Sequence, residues 1–147
     1  MKNEINILIV ETDEFQLELL SLILEEAGFI ISSENSVSGA INFIRENNNT
    51  DLILSDLILP DASAIDMMIM MKELNISIPT ILISSFRNSE IELYSGKNNE
   101  ELLIELEKSG FKGIIERPSN SDDLVDEILK ILYSHSVIGE EPDISAF

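Results

Sequence analysis

The 147-residue chain contains no cysteine, so it can form neither a disulfide nor a thiolate metal site, which is consistent with a reducing compartment. Basic residues are also scarce: nine Lys and Arg stand against 28 Asp and Glu, and the formal net charge is −19. Proteins that bind nucleic acid contact the phosphate backbone through clustered Lys and Arg. The charge balance therefore argues strongly against nucleic-acid binding and favours proteins or cations as partners.

Long hydrophobic runs are absent as well. No apolar stretch approaches the roughly 20 residues that a membrane span needs, and residues 1–4 lack the form of a secretion signal. The length and the 44% of hydrophobic residues fit one soluble domain with a proper core. We therefore expect a cytoplasmic protein without a membrane span, with a domain at residues 1–135 and an acidic, flexible tail at residues 136–147.

The chain alternates short apolar runs with amphipathic stretches. This alternation predicts five strands, at residues 5–10, 29–33, 52–55, 80–84 and 113–116. It predicts five helices, at residues 14–27, from 36 to about 46, and at residues 63–74, 100–108 and 122–133. In the first helix we expect Asp13 at the N-cap, Gly28 at the end, and an apolar face formed by Phe15, Leu19, Leu22 and Ile23. A polar loop at residues 85–99 separates the fourth strand from the fourth helix.

Strands that alternate with helices predict a parallel sheet covered on both faces. Right-handed crossovers leave few topologies, and the leading one is the three-layer, flavodoxin-like, doubly wound (βα)5 sheet with strand order 2-1-3-4-5. In that order the crevice lies at the carboxyl ends of strands one and three, where the strand order reverses.

Asp56 is the most informative residue, because it follows the buried strand in the segment Asp-Leu-Ile-Leu-Ser-Asp-Leu-Ile-Leu-Pro-Asp at residues 51–61. An ionised carboxylate is costly to bury without a partner, so we expect Asp56 where the strand leaves the core. Pro60 would turn the chain shortly afterwards. On this segment alone, a cap for the loop or the next helix is an equally good interpretation of Asp56.

Other polar residues leave neighbouring strands at the same predicted edge: Glu11, Thr12, Asp13, Ser84 and Arg117. Two or three carboxylates around one point can bind Mg²⁺, and a carboxylate beside that metal can attack an activated phosphoryl group to form an acyl phosphate. A cation and a hydroxyl can then stabilise the phosphoryl oxygens. Each residue alone is more often a loop residue or a surface ion pair, so only the set indicates this chemistry.

These segments resemble the receiver domain of two-component response regulators, over about residues 4–134. The matching runs lie at residues 7–11, 51–56, 60–61, 78–84 and 113–118. The resemblance implies that Asp56 is the phosphoacceptor, that Ser84 is the switch hydroxyl, and that Arg117 replaces the family's lysine. It also implies that Mg²⁺ is held by Glu11, Asp56 and the backbone carbonyl of Ile58, with Asp13 as a further candidate.

The chain departs from the family pattern at four positions. Thr12 stands where the family has its second acid, a direct metal ligand, and Arg117 is planar and bulkier than the usual lysine. Ile114 occupies the position of the aromatic switch residue, and Ala64 a position where Gly is usual. We therefore expect weak Mg²⁺ binding.

Two functions are compatible with this pattern. The first is a stand-alone, non-enzymatic receiver, monomeric or weakly dimeric, that accepts a phosphoryl group on Asp56 from a histidine kinase or phosphotransfer protein and signals to a downstream protein target. The alternative is a pseudo-receiver, an interaction module that works without phosphate. A nucleotide- or flavin-binding protein of the same topology is disfavoured, because no Gly-rich phosphate loop follows the first strand.

Overall fold

The fold is a five-stranded parallel sheet in the order β2-β1-β3-β4-β5, seen in a computed structural model that describes residues 4–84, 99–116 and 121–134. The strands are β1 Asn6–Val10, β2 Ile30–Glu34, β3 Leu52–Ser55, β4 Thr80–Ser84 and β5 Gly113–Glu116. The predicted fold class and strand order are confirmed. Strand β2 is at an edge, as expected, but begins one residue later than predicted.

Five helices connect or follow these strands in the described part of the chain. They are α1 Glu14–Glu26, α2 Val37–Glu46, α3 Ala64–Glu73, α4 Asn99–Lys108 and α5 Ser121–Ser134. Each lies within two residues of its predicted bounds. Within the described ranges, none of them is both long and apolar enough to cross a membrane.

The core has two sides because the strands are apolar on both faces. In β1, Ile7 and Ile9 pack with residues of α1 and α5, whereas Leu8 and Val10 pack with residues of α2 and α3. A strand buried on both faces cannot alternate apolar with polar residues, which explains the continuous Leu and Ile runs. The two layers of helices cover the faces of the central strands β1 and β3, whereas the edge strand β2 stays partly exposed, with Ile30 41% exposed.

Local signals in the sequence set the helix ends. Asp13 is the N-cap of α1, and Ser36 and Ser63 are the N-caps of α2 and α3. Gly28 follows α1 with φ +96°, a left-handed conformation that favours glycine. Asn75 follows α3 with φ +58°, a left-handed conformation that asparagine adopts more readily than most residues.

The predicted apolar face of α1 is wrong. The residues that α1 buries are Leu20 and Leu24, with Leu17 and Ile23 partly buried beside them. Phe15, Leu19 and Leu22 are instead 70%, 43% and 57% exposed. The helix carries apolar residues around most of its circumference, so the 3.6-residue period offers two candidate stripes and does not say which one meets the sheet.

Several predicted features lie outside the described residues: most of the polar loop at residues 85–99, the cation Arg117, and the tail at residues 136–147. The division into a domain and a tail therefore stays a prediction.

Candidate functional site

Glu11 and Asp56 lie side by side at the carboxyl edge of the sheet. Strands β1 and β3 pair with Val10 opposite Ser55, so the next residue of each strand is Glu11 and Asp56 respectively. The Asp56 backbone N–H donates to the Val10 carbonyl at 3.0 Å, which continues the ladder past the end of β3. Here the strand order reverses, the position at which open α/β sheets bind ligands.

The two carboxylates differ in exposure. Glu11 is 2% exposed, while Asp56 is half-buried. One carboxylate oxygen of Asp56, Oδ1, accepts a hydrogen bond from the Leu57 N–H at 2.8 Å, which fixes its orientation at the start of the loop after β3. Both acids make further interactions, as expected for carboxylates at the border of an apolar core. Of the pair, Asp56 is the one that a reactant from solvent can reach.

The two residues after Glu11 leave the core. Thr12 is exposed, and so is Asp13, whose Oδ1 accepts a hydrogen bond from the Gln16 N–H at 3.1 Å as the cap of α1. One oxygen of Asp13 is therefore engaged by the helix that it begins. Its second predicted role, as a metal ligand, stays a prediction.

The remaining predicted site residues are at the same edge or outside the described residues. Ser84 is the last residue of β4, and its backbone pairs with Glu116 at the end of β5. Ile58 is two residues after Asp56 and forms an isolated bridge with Ser63. Arg117, the cation after β5, is outside the described residues.

The loop between β3 and α3 is held at its α3 end by a capping box. Ser63 and Asp66 form a capping box, in which Ser63 Oγ accepts from the Asp66 N–H at 3.1 Å and the Asp66 carboxylate accepts from the Ser63 N–H at 2.9 Å. The spacing Ser-x-x-Asp in the sequence is the local signal for this arrangement.

Asp61 has a long-range role that the sequence does not reveal. Its two carboxylate oxygens accept hydrogen bonds from the Val37 and Ser38 N–H groups, each at 2.9 Å, so it caps α2 from a separate loop. The hydrogen bond from the Ser38 N–H, and after it in size the bond from the Val37 N–H, lower the pKa of Asp61 below its usual 3.8. The loop that follows Asp56 is thereby attached to two helices, α2 and α3.

The donor set suits a weakly held Mg²⁺ ion. Mg²⁺ is commonly bound through one or two carboxylates while it keeps several waters, and Glu11 with Asp56 supplies such a pair. In the described residues no three acidic or histidine side chains come together as a metal cluster. With Thr12 in place of a third carboxylate, Glu11 and Asp56 are the candidate ligands, together with the Ile58 carbonyl.

The sequence model of the response regulator receiver domain matches residues 7–129. The chain belongs to this family. Phosphorylation on an aspartate is general among receiver domains, which act in two-component signalling with histidine kinases or phosphotransfer proteins and generally bind Mg²⁺ at an acidic pocket. They are generally signalling modules rather than enzymes.

Solved structures support the fold. A response regulator receiver domain protein (CheY-like) from Methanospirillum hungatei JF-1 is 23% identical, with a TM-score of 0.74 over 92% of this chain and 98% of that one. A response regulator receiver domain protein from Clostridium thermocellum is 19% identical, with a TM-score of 0.75 over 90% of this chain and 98% of that one. At such identities the likeness concerns the fold alone.

Among curated proteins, the transcriptional regulatory protein ZraR of Escherichia coli (strain K12) is 26% identical over 145 residues. The match covers 98% of this chain and 30% of ZraR. This receiver therefore spans about a third of the length of the curated relatives that it matches, which include the alkaline phosphatase synthesis regulator SphR of Synechococcus elongatus.

Proposed function

We propose that Asp56 is the phosphoacceptor of this receiver, and that it takes a phosphoryl group from the phosphohistidine of a histidine kinase or phosphotransfer protein. An Asp56 oxygen attacks the phosphorus, the phosphorus–nitrogen bond to the imidazole breaks, and an acyl phosphate forms. The observation that carries the proposal is the half-buried carboxylate of Asp56 at the carboxyl end of β3, beside Glu11 and oriented by the Leu57 N–H.

The other site residues have supporting roles in this proposal. Glu11 and the Ile58 carbonyl would hold Mg²⁺ together with Asp56, and Asp13 is a further candidate ligand. When bound there, the metal would supply positive charge against the phosphoryl oxygens. Ser84 donates a hydrogen bond to the phosphoryl group, and Arg117 supplies the positive charge that the family takes from lysine.

Labelling with a small-molecule phosphodonor tests the phosphoacceptor directly. The purified chain is incubated with acetyl phosphate and Mg²⁺, and intact mass spectrometry follows the gain of one phosphoryl group. We expect the gain in the unaltered chain and its removal by hydroxylamine, which cleaves acyl phosphates.

Two variants control that experiment. Asp56→Asn should abolish the mass gain, while Glu46→Gln, a change at the exposed end of α2, should leave it unaltered. If the unaltered chain gains no mass even at high Mg²⁺, the phosphoacceptor proposal fails, and the pseudo-receiver alternative is supported. A gain that survives in Asp56→Asn would assign the phosphoryl group to another residue.

We also propose that the exposed apolar stripe of α1, defined as Phe15, Leu19 and Leu22, contacts the phosphodonor protein. These residues recur at helical spacing on one face, and Phe15 lies in the first turn, close to the chain segment that leaves Glu11. Exposed apolar patches of this kind mark interaction sites. Glu14 and Glu18 are exposed in the same two turns, so a partner that presents basic residues around an apolar strip would complement the stripe.

Phosphotransfer kinetics test the stripe. The organism's own autophosphorylated histidine kinases are screened as donors, and the best donor is used with each variant. Phe15→Ser with Leu19→Ser should slow phosphotransfer at least tenfold, because central apolar contacts contribute most of the binding energy of an interface. Labelling of the same variant by acetyl phosphate should stay unchanged. Ile69→Ser, at an exposed position on α3, is the matched control. Equal transfer rates in all three proteins would remove α1 from the interface.

A further inference from the structure

A cavity of about 450 Å³ lies at the edge of the sheet opposite Asp56, between the carboxyl ends of α3 and α4. Its apolar lining comes from Met68, Met71, Ile76, Ile78 and Pro79, and its polar lining includes Lys72, Asn75, Ser77, Ser109 and Lys112. The cavity is separate from Asp56, since its residues lie in α3 from Met68 onward, in the chain between α3 and β4, and in the chain between α4 and β5.

The charge of this cavity is opposite to that of the molecule. Two of the nine basic residues in the sequence line it, and none of the 28 acids is among its described lining residues. Lys72 is in the last turn of α3, where the helix dipole favours a cation. Lys112 lies in no helix; it precedes β5, and its N–H donates to the Thr80 carbonyl at 2.9 Å. A mixed apolar and cationic groove complements an acidic peptide that also carries apolar side chains.

The chain itself contains such a peptide. Residues 139–147, which we call the acidic segment, read Gly-Glu-Glu-Pro-Asp-Ile-Ser-Ala-Phe. Three acids are combined with Ile144 and Phe147, and no Lys or Arg occurs after Lys130.

The acidic segment starts within reach of the cavity. Helix α5 ends at Ser134, and a β-carbon placed on Gly113 would lie 3.0 Å from Cδ1 of Ile131 in its last turn. Gly113 is the first residue of β5 and follows Lys112 directly. Six residues of extended chain span roughly 20 Å, so Glu140 can reach the two lysines from the end of α5.

We propose that the acidic segment binds in this cavity, with its carboxylates beside Lys72 and Lys112 and its apolar side chains on the partly exposed surface of Met68, Ile76 and Ile78. Tethering through α5 gives the segment an effective concentration in the millimolar range, so weak contacts are sufficient. The proposal does not depend on the phosphorylation of Asp56.

The absence of cysteine makes disulfide trapping a clean test in the full chain. Ser77→Cys at the cavity is combined with Ser145→Cys in the acidic segment, and the rate of disulfide formation under mild oxidation is measured on non-reducing gels. The matched control combines Asn48→Cys with Ser145→Cys, because residue 48 is exposed in the loop before β3, at the same edge of the sheet. We expect the cavity pair to close within one chain at least tenfold faster than the control pair.

Charge reversal shows whether the lysines are responsible. In the Ser77→Cys, Ser145→Cys chain, Lys72→Glu with Lys112→Glu should slow disulfide closure about fivefold. This factor corresponds to about 1 kcal/mol over the two exposed ion pairs. Adding Glu140→Lys with Glu141→Lys should restore the rate. Lys108→Glu with Lys130→Glu is the control for net charge, and circular-dichroism melts verify that each variant folds. Three results would each overturn the proposal. The two cysteine pairs could close at equal rates, the charge reversal could slow closure no more than the net-charge control does, or disulfides could form only between chains.

Discussion

Glu11 and Asp56 are neighbours on adjacent strands, yet only Asp56 is accessible enough to react. Glu11 is followed by the exposed residues Thr12 and Asp13, whereas Asp56 is followed by the buried Leu57, whose N–H donates to the Asp56 carboxylate. A buried acid beside an accessible one can hold a metal ion or orient its neighbour without being modified. This division of roles depends on a single residue of register between β1 and β3.

Thr12 should be the residue that weakens the metal site. Thr12→Asp adds a carboxylate next to Glu11, and we expect it to tighten Mg²⁺ binding by at least about tenfold, an effect that even outer-shell residues have on metal affinity. Titration calorimetry with Mg²⁺ measures this change, and Asn48→Asp, which adds the same charge at the far edge of the sheet, is the control. Tight binding by the unaltered chain would show that Asp13 already supplies the missing ligand.

Asp61 should make stability depend on pH in the acid range. Because its pKa is lowered in the folded state, the ionised carboxylate stabilises the fold above the ordinary carboxyl pKa, and this contribution is lost as the pH falls through the lowered value. Asp61→Asn should therefore lower the melting temperature at pH 7, and its effect should shrink as the pH falls below the ordinary carboxyl pKa of 3.8. Glu46→Gln at the other end of α2 is the control, and a difference that is constant across the pH range would contradict this role.

The sequence predicts the role of a residue where its hydrogen-bond partner is close to it in the chain. The N-cap role of Asp13 follows from the sequence, because a cap binds an N–H two or three residues later. The partner of Asp61 is 24 residues earlier in the chain, and nothing in the sequence around either end marks that contact. In the sequence Asp61 belongs only to the family pattern at residues 60–61, whereas its contact with α2 is visible only in the fold.

At the scale of elements, α1 carries two apolar stripes with different consequences. The stripe with Leu20 and Leu24 packs on the sheet, and the stripe with Phe15, Leu19 and Leu22 faces outward. Strands were predicted more accurately than this helix face, because a strand buried on both sides has no orientation to choose. For a helix, the face that becomes buried depends on how the helix packs against neighbours that are distant in sequence.

A pair of leucines on α1 tests this assignment. Leu24 is 0% exposed, so Leu24→Ala should lower the free energy of unfolding by about 2–5 kcal/mol. Leu22 is 57% exposed, and Leu22→Ala should change that free energy by no more than about 0.5 kcal/mol. Urea unfolding followed by circular dichroism measures both variants. Similar losses in both would mean that the outer stripe is also part of a packed interface.

At the scale of the whole molecule, the excess of acids is the dominant electrostatic feature. The net charge of −19 over the 147-residue chain opposes the compact state through self-repulsion, and salt screens that repulsion. The sequence gives the net charge, and the described structure adds where the charges lie. Lys72 and Lys112 are grouped at one edge of the sheet, whereas the carboxylates of Glu11 and Asp56 lie at the opposite edge. Only the fold brings those two lysines together, because they are 40 residues apart in the chain.

Salt should therefore stabilise this protein. Raising NaCl from low concentration to a few tenths molar should raise the melting temperature at pH 7, because screened acids repel one another less in the folded state. Sucrose at equal osmolarity controls for solvent exclusion, and differential scanning calorimetry measures both series. A melting temperature that falls with salt would indicate that specific ion pairs outweigh the net repulsion.

The attachment of the loop after β3 to α2 makes two backbone amides indirect reporters of events near Asp56. The Val37 and Ser38 N–H groups are held by Asp61, so in the folded protein their exchange with solvent deuterium is controlled by the release of that carboxylate. Any modification that shifts the loop must change the exchange rate at these two positions, although neither belongs to the site. A spectroscopist could therefore follow the state of the loop from the first turn of a helix that carries none of the reacting groups.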